Sequence, residues 1–204
     1  NQTVIVMQKH FLSTSNLYEP QKERVLEKIH TFFGCDNQET PGVVVEELED
    51  KLAQYHCSKY CVAYSTGFWA LVSTVINKIE EGKTEVLLPS LTYRRLADVV
   101  HWAGGTPTFV DIKKGDLSIS PLAVQKHISK NTGLILAVHP IVNCCDVEKL
   151  IEVAEEHQTP IVFDAVESVH ETFMSWFIWR RRSVFSARFQ ALKWFGGWLC
   201  LHKR

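Results

Sequence analysis

Three short stretches concentrate groups that could handle an anion or a proton: Ser65-Thr66-Gly67, Pro89-Ser90-Leu91-Thr92-Tyr93, and Asp164, with His139 as a further polar residue among apolar neighbours. Small residues opening a helix leave its first backbone N–H groups free. Those groups, with the positive end of the helix dipole, attract a phosphate. Gly67 would let such a ligand approach the backbone closely. The plain alternative is a helix N-cap, where Ser and Thr are common, and Asp164 could likewise cap a helix. A lone tyrosine such as Tyr93 is more often core, and His139 in Ala137-Val138-His139-Pro140 reads as a structural turn residue rather than an acid or base. No G-x-G-x-x-G follows a strand and no G-x-x-x-x-G-K-[ST] occurs, which argues against a dinucleotide or a nucleoside triphosphate and for a different anionic ligand.

The cysteines at 35, 57, 61, 144, 145 and 200 follow no regular framework, so they read as small buried apolar residues of a reducing compartment rather than as bridges. His56-Cys57 with Cys61 lacks a second ligand pair at zinc-finger spacing, and no metal is expected. No window approaches the run of about eighteen apolar residues that spans a membrane, and no secretory leader opens the chain, so the expected location is cytoplasmic. The start at Asn1 rather than methionine points to an incomplete N-terminus.

The elements that must position these residues are legible as an alternation. Helices are expected over Glu19–Phe33, Val43–Tyr55, Gly67–Ile79, Arg94–Ala103, Pro121–Ile128 and Val147–His157. Strands are expected over Tyr60–Tyr64, Glu85–Leu88, Pro107–Asp111, Gly133–Val138 and Pro160–Phe163. The fold class is therefore α/β, three layers, with a mainly parallel sheet carrying helices on both faces. In such sheets ligands gather at the C-terminal ends of the strands, where the residues singled out above fall.

Six stretches in order resemble the DegT/DnrJ-type sugar aminotransferases: G-x-x-V-x-x-L-E at 42–49, A-Y-S-T-G at 63–67, L-P-S-L-T-Y at 88–93, A-G-G-T-P-T-F-V-D-I at 103–112, A-V-H-P at 137–140 and F-D-A-V-E-S at 163–168. The resemblance covers about 42–171 and implies the large domain of fold type I, with pyridoxal 5'-phosphate as cofactor. It implies transfer of an amino group, usually from glutamate, to a keto sugar attached to a nucleotide, by homodimers with sites at the subunit interface. No nucleic-acid or membrane partner is implied. On this resemblance Thr66 and Gly67 hold the phosphate, and Phe68 stands where the family usually has threonine, so one hydroxyl ligand is missing. Tyr93 stacks on the pyridine ring. Asp164 pairs with the pyridine nitrogen and keeps it protonated. Glu167 stands where many relatives have glutamine beside the cofactor hydroxyl.

The family's cofactor-binding lysine should follow within a run like S-x-H-A-[ST]-K-x-x-N-x-x-E-G-G. Here Lys193 lies near the right distance with neighbours that do not match, and it is the only candidate. The surrounding composition is also unlike the rest. Residues 1–171 carry 15 Lys/Arg and all 23 Asp/Glu, whereas 172–204 carry 7 Lys/Arg, no acid and four of the six tryptophans. A one-base shift lets the codons of Ala187 to Leu199 spell H-A-S-K-L-L-N-G-L-E-G-G-Y. The chain is accordingly expected to comprise a partial cofactor-binding domain over 1–171 and an out-of-frame tail over 172–204. It would then lack the true lysine, the last strands of the sheet and the C-terminal small domain, and be defective. The alternatives are a non-catalytic interaction fragment and a sugar dehydratase of the same family, in which histidine replaces the lysine. Taken at face value, the tail is a basic aromatic segment for membrane or nucleic acid, or a poorly ordered end.

Overall fold

The computed structural model describes residues 19–34, 43–55, 58–140, 144–166, 192–195 and 198–201. The chain divides into two compact units, residues 1–43 and 44–204. The first contains α1 (Glu19–Gly34), in which Leu26 and Ile29 are exposed.

The second unit follows the expected alternation. Its elements are α2 (Val43–Tyr55), β1 (Tyr60–Ala63), α3 (Gly67–Lys78), β2 (Glu85–Pro89), α4 (Leu96–Trp102), β3 (Thr106–Val110), α5 (Pro121–His127), β4 (Thr132–Val138), α6 (Val147–Glu156) and β5 (Ile161–Asp164). Two more strands, β6 (Leu192–Phe195) and β7 (Trp198–Leu201), follow. The strand order is β1-β7-β6-β5-β4-β2-β3. Strands β2 to β6 run parallel, while β7 lies antiparallel between β6 and β1.

The last two strands overturn the expectation that the tail contributes none. Gly196-Gly197 separates two apolar runs, Leu192-Lys193-Trp194-Phe195 and Trp198-Leu199-Cys200-Leu201. Two apolar runs split by Gly-Gly are a hairpin signal, and it outweighs the unusual composition. The resulting pair, in register Phe195↔Trp198, fills the gap between β5 and β1.

Alternation along the strands divides the core in two. On one face Val86, Leu88, Leu134, Leu136 and Val162 pack under Ala70, Leu71 and Val75 of α3 and Leu96, Val99 and Val100 of α4. On the other, Leu87, Ile135, Ala137, Ile161 and Phe163 pack under α5 and α6. The central strands β2, β4 and β5 bury both faces, as a parallel sheet between two helical layers requires. Helix α2 packs Ala53 against Cys61 and Ala165. Its Glu49 carboxylate accepts the backbone N–H of Ala63 at 2.6 Å, occupying a donor at the end of edge strand β1.

Candidate functional site

Because β1, β2, β4 and β5 point the same way, their C-terminal ends meet at one edge of the sheet. There the structure places Ser65-Thr66-Gly67 after β1, the 89–93 turn after β2, His139 after β4 and Asp164 as the last residue of β5. The register Val138↔Asp164 sets the last two side by side, and the His139 backbone N–H donates to the Asp164 carbonyl at 2.9 Å.

Thr66 is the N-cap of α3, extended at φ −147 and ψ 155, and its side chain makes no capping hydrogen bond. The first helical bond runs from the Ala70 N–H to the Thr66 carbonyl at 3.2 Å. The N–H groups of Gly67, Phe68 and Trp69 have no acceptor among the described residues, so the helix opens on three free donors. Tyr64 anchors this corner by donating its hydroxyl to Ser73 Oγ at 2.8 Å. The 89–93 turn is held by the Ser90 N–H on the Val110 carbonyl, 2.9 Å, and leaves Tyr93 with 56% exposure, available to stack on a planar ligand. Within it the Thr92 hydroxyl oxygen is buried with no hydrogen-bond partner. An orphaned buried hydroxyl is costly and marks a place where a ligand can supply the partner.

Asp164 is 4% exposed, and its Oδ1 accepts the Val166 N–H at 3.2 Å. That bond and the strand fix the carboxylate at the sheet edge. His139, also buried, stacks on Phe163 at 5.9 Å and 19°. Its Nδ1 accepts the Cys145 N–H at 3.1 Å, which leaves the ring proton on Nε2. Burial, with Cys144 beside it, pushes the Cys145 thiol well above its ordinary range, so this cysteine stays protonated and unreactive. His139 and Cys145 therefore brace the edge.

A pyridoxal-type cofactor fits these groups. Three free N–H donors suit a phosphate, the orphaned hydroxyl suits a polar substituent, and a buried carboxylate suits a protonated ring nitrogen. Phe68, on the second residue of α3, supplies no hydroxyl, as expected from its type. Glu167 lies outside the described residues. Lys193 is placed by its backbone, in β6 opposite Phe163. Sequence reasoning singled out the 89–93 stretch but not the burial of the Thr92 hydroxyl, and it missed the Glu49–Ala63 bond, since both depend on neighbours far along the chain.

A cavity of about 770 Å³ opens at the other end of the sheet, lined by Glu80, Glu81, Lys83, Glu156, His157, Gln158 and Pro160. Three carboxylates against one lysine would repel a phosphate, so it is no rival site for an anionic cofactor. Among the described residues no cluster of three or more His, Cys, Asp and Glu could hold a metal, and no helix is long and apolar enough to cross a membrane.

The sequence and the fold are similar to those of known proteins. GDP-perosamine synthase of Caulobacter vibrioides is 32% identical over 133 residues, 65% of this chain and 36% of that protein. UDP-2-acetamido-2-deoxy-3-oxo-D-glucuronate aminotransferase of Pseudomonas aeruginosa is 30% identical over 127 residues, 62% of this chain and 35% of that protein. The chain thus spans about a third of the length of these relatives. The crystal structure of NtdA from Bacillus subtilis with bound cofactor PMP superposes with a TM-score of 0.66 at 22% identity, over 79% of this chain and 39% of that one. The model of the DegT/DnrJ/EryC1/StrS aminotransferase family matches residues 21–193, beyond the 42–171 stretch that carried the motifs, and the chain belongs to that family.

Proposed function

We propose that this chain forms part of a pyridoxal-phosphate-dependent aminotransferase acting on a nucleotide-linked keto sugar, with glutamate as the amino donor. The observation that carries the proposal is the sheet edge, where the uncapped start of α3 and the buried Asp164 share one end of a family fold. The relatives named for GDP- and UDP-linked sugars support the substrate class. When bound, pyridoxal phosphate supplies an electron sink for the carbon that gains or loses the amino group. Around it, Thr66 and Gly67 hold the phosphate on the N–H groups of α3. Tyr93 orients the ring by stacking. Asp164 holds the proton on the ring nitrogen, a task suited to a carboxylate buried and fixed by the Val166 N–H. Glu167 is assigned to the cofactor hydroxyl. The working assembly is a cytoplasmic homodimer, as the resemblance implies.

The composition of 172–204 supports a second part of the proposal: this segment is read out of frame, and Gln190 stands where the lysine codon lies in the shifted frame. Lys193 is then not the covalent anchor.

Two measurements test these points. The purified chain is incubated with pyridoxal 5'-phosphate, reduced with borohydride and mapped by mass spectrometry. Saturable binding with no single labelled lysine is expected, and stoichiometric labelling of Lys193 would overturn the frame assignment. Failure to bind at all would overturn the cofactor assignment. Resequencing the codons for 170–204 gives the second check: another frame that cannot spell H-A-S-K and E-G-G refutes the out-of-frame origin.

A further inference from the structure

We propose that Arg95 is a ligand of the cofactor phosphate and takes over from the hydroxyl that Phe68 does not provide. This rests on the assignment of the α3 N-terminus as the phosphate site. Residues 65–69, Ser-Thr-Gly-Phe-Trp, contain no cation, so α3 alone meets a phosphate dianion with neutral donors. The guanidinium of Arg95 closes that deficit from the neighbouring element. Arg95 is the N-cap of α4, and its Cζ lies 4.2 Å from the centroid of the Phe68 ring.

That ring sits in a series of edge-to-face contacts, Phe68 to Trp69 at 5.2 Å and Trp69 to Trp102 at 5.4 Å, which hold it in place. A guanidinium carbon held over a ring is attracted by the ring's face, and this contact consumes none of its N–H donors, which stay free for an anion. Its one carboxylate neighbour among the described residues is Asp98, with Nε 3.7 Å from Oδ2, too long for a hydrogen bond. The Nη donors have no partner among the described residues. Replacing a small hydroxyl residue by phenylalanine therefore costs one neutral donor and creates the platform that holds a charged, two-pronged one. A charge-assisted bond to phosphate is stronger than the neutral bond it replaces.

The test uses the full 204-residue chain and compares pyridoxamine 5'-phosphate with pyridoxamine, which form no adducts with surface lysines. Binding is followed by equilibrium dialysis, with tryptophan fluorescence as a second readout and circular dichroism as the check on folding. For Arg95→Gln, affinity for the phosphorylated ligand is expected to fall about tenfold, with affinity for pyridoxamine unchanged. Phe68→Leu, which keeps the charge and removes the platform, is expected to show a smaller loss in the same direction. If Arg95→Gln does not fold, Arg95→Lys decides, since it keeps a cation and loses the planar fork; unchanged affinity for the phosphate form across the foldable variants overturns the proposal. If the wild-type chain fails to distinguish pyridoxamine 5'-phosphate from pyridoxamine, the phosphate site itself is wrong, and Arg95 falls with it. If the wild type discriminates and the variants do so equally, the site stands and only Arg95 is refuted.

Discussion

Thr92 carries a cost in the ligand-free protein that a ligand would repay. Its hydroxyl oxygen is buried without a partner, and the side chain sits in the turn between β2 and α4. Thr92→Val keeps the shape and removes the orphan, so the ligand-free chain should gain about 1 kcal/mol, read as a shift in the urea midpoint. The same substitution should weaken pyridoxamine 5'-phosphate binding. A variant that is both less stable and equally tight would show the hydroxyl to be structural. Residue-scale information in the sequence was uneven. The strand-end positions of Asp164, Thr66 and Gly67 were legible because each strand could be read from its own few residues. The Glu49–Ala63 bond was not, since its partners lie on separate elements, and neither was the guanidinium over Phe68, which joins two turns that only the folded sheet brings together.

At the scale of elements, the turn from β3 to α5 is held by Asp116. Burial alone would raise its carboxyl, but Lys113 Nζ at 2.6 Å, the Ser118 hydroxyl at 2.7 Å and the Ser118 N–H at 2.9 Å together lower it from the ordinary 3.8 to about 2. A folded value below the unfolded one stabilises the protein above the unfolded value, and the benefit disappears as pH falls from about 4 toward about 2. Allowing for solvent screening, it amounts to about 1 kcal/mol. Asp116→Asn should therefore lower stability near neutrality, with the gap to the parent shrinking as pH falls through about 4 and closing only below about pH 2, measured by urea denaturation across that range. Gly133, the second residue of β4, lies close under the α3–β2 corner: an added Cβ would lie 2.9 Å from Ile79 Cγ1 and 3.0 Å from Lys83 Cβ. Gly133→Ala should cost about 1–3 kcal/mol, and a melting temperature equal to the parent's would show that the corner can give. Element boundaries read from sequence were close wherever a helix period met a turn residue. The start of α4 slipped from Arg94 to Leu96, because two arginines and a tyrosine carry no stop signal of their own.

At the scale of the whole molecule, β6 and β7 are what join β1 to the rest of the sheet. Ending the chain at Glu171 removes both and leaves β1 without a strand partner and β5 with an open edge. Such a chain is expected to self-associate in size-exclusion chromatography and to lose cooperativity on unfolding; a stable monomer with a sharp transition would show that the hairpin is dispensable. The layered α/β plan was legible because each strand and crossover helix announces itself within a short window. The hairpin's place was not, because pairing between Cys61 and Cys200 is set by topology and not by local pattern. That long pairing has a consequence in time. A ribosome delivers β1 roughly 140 residues before the strand it must join. The middle strands, β2 to β5, can assemble as they emerge, while β1 waits with no strand partner until β7 is free. Synthesis that stalls before β7 emerges would leave a half-closed sheet, and the dwell time of that intermediate, rather than the stability of the folded sheet, sets its exposure to chaperones and proteases.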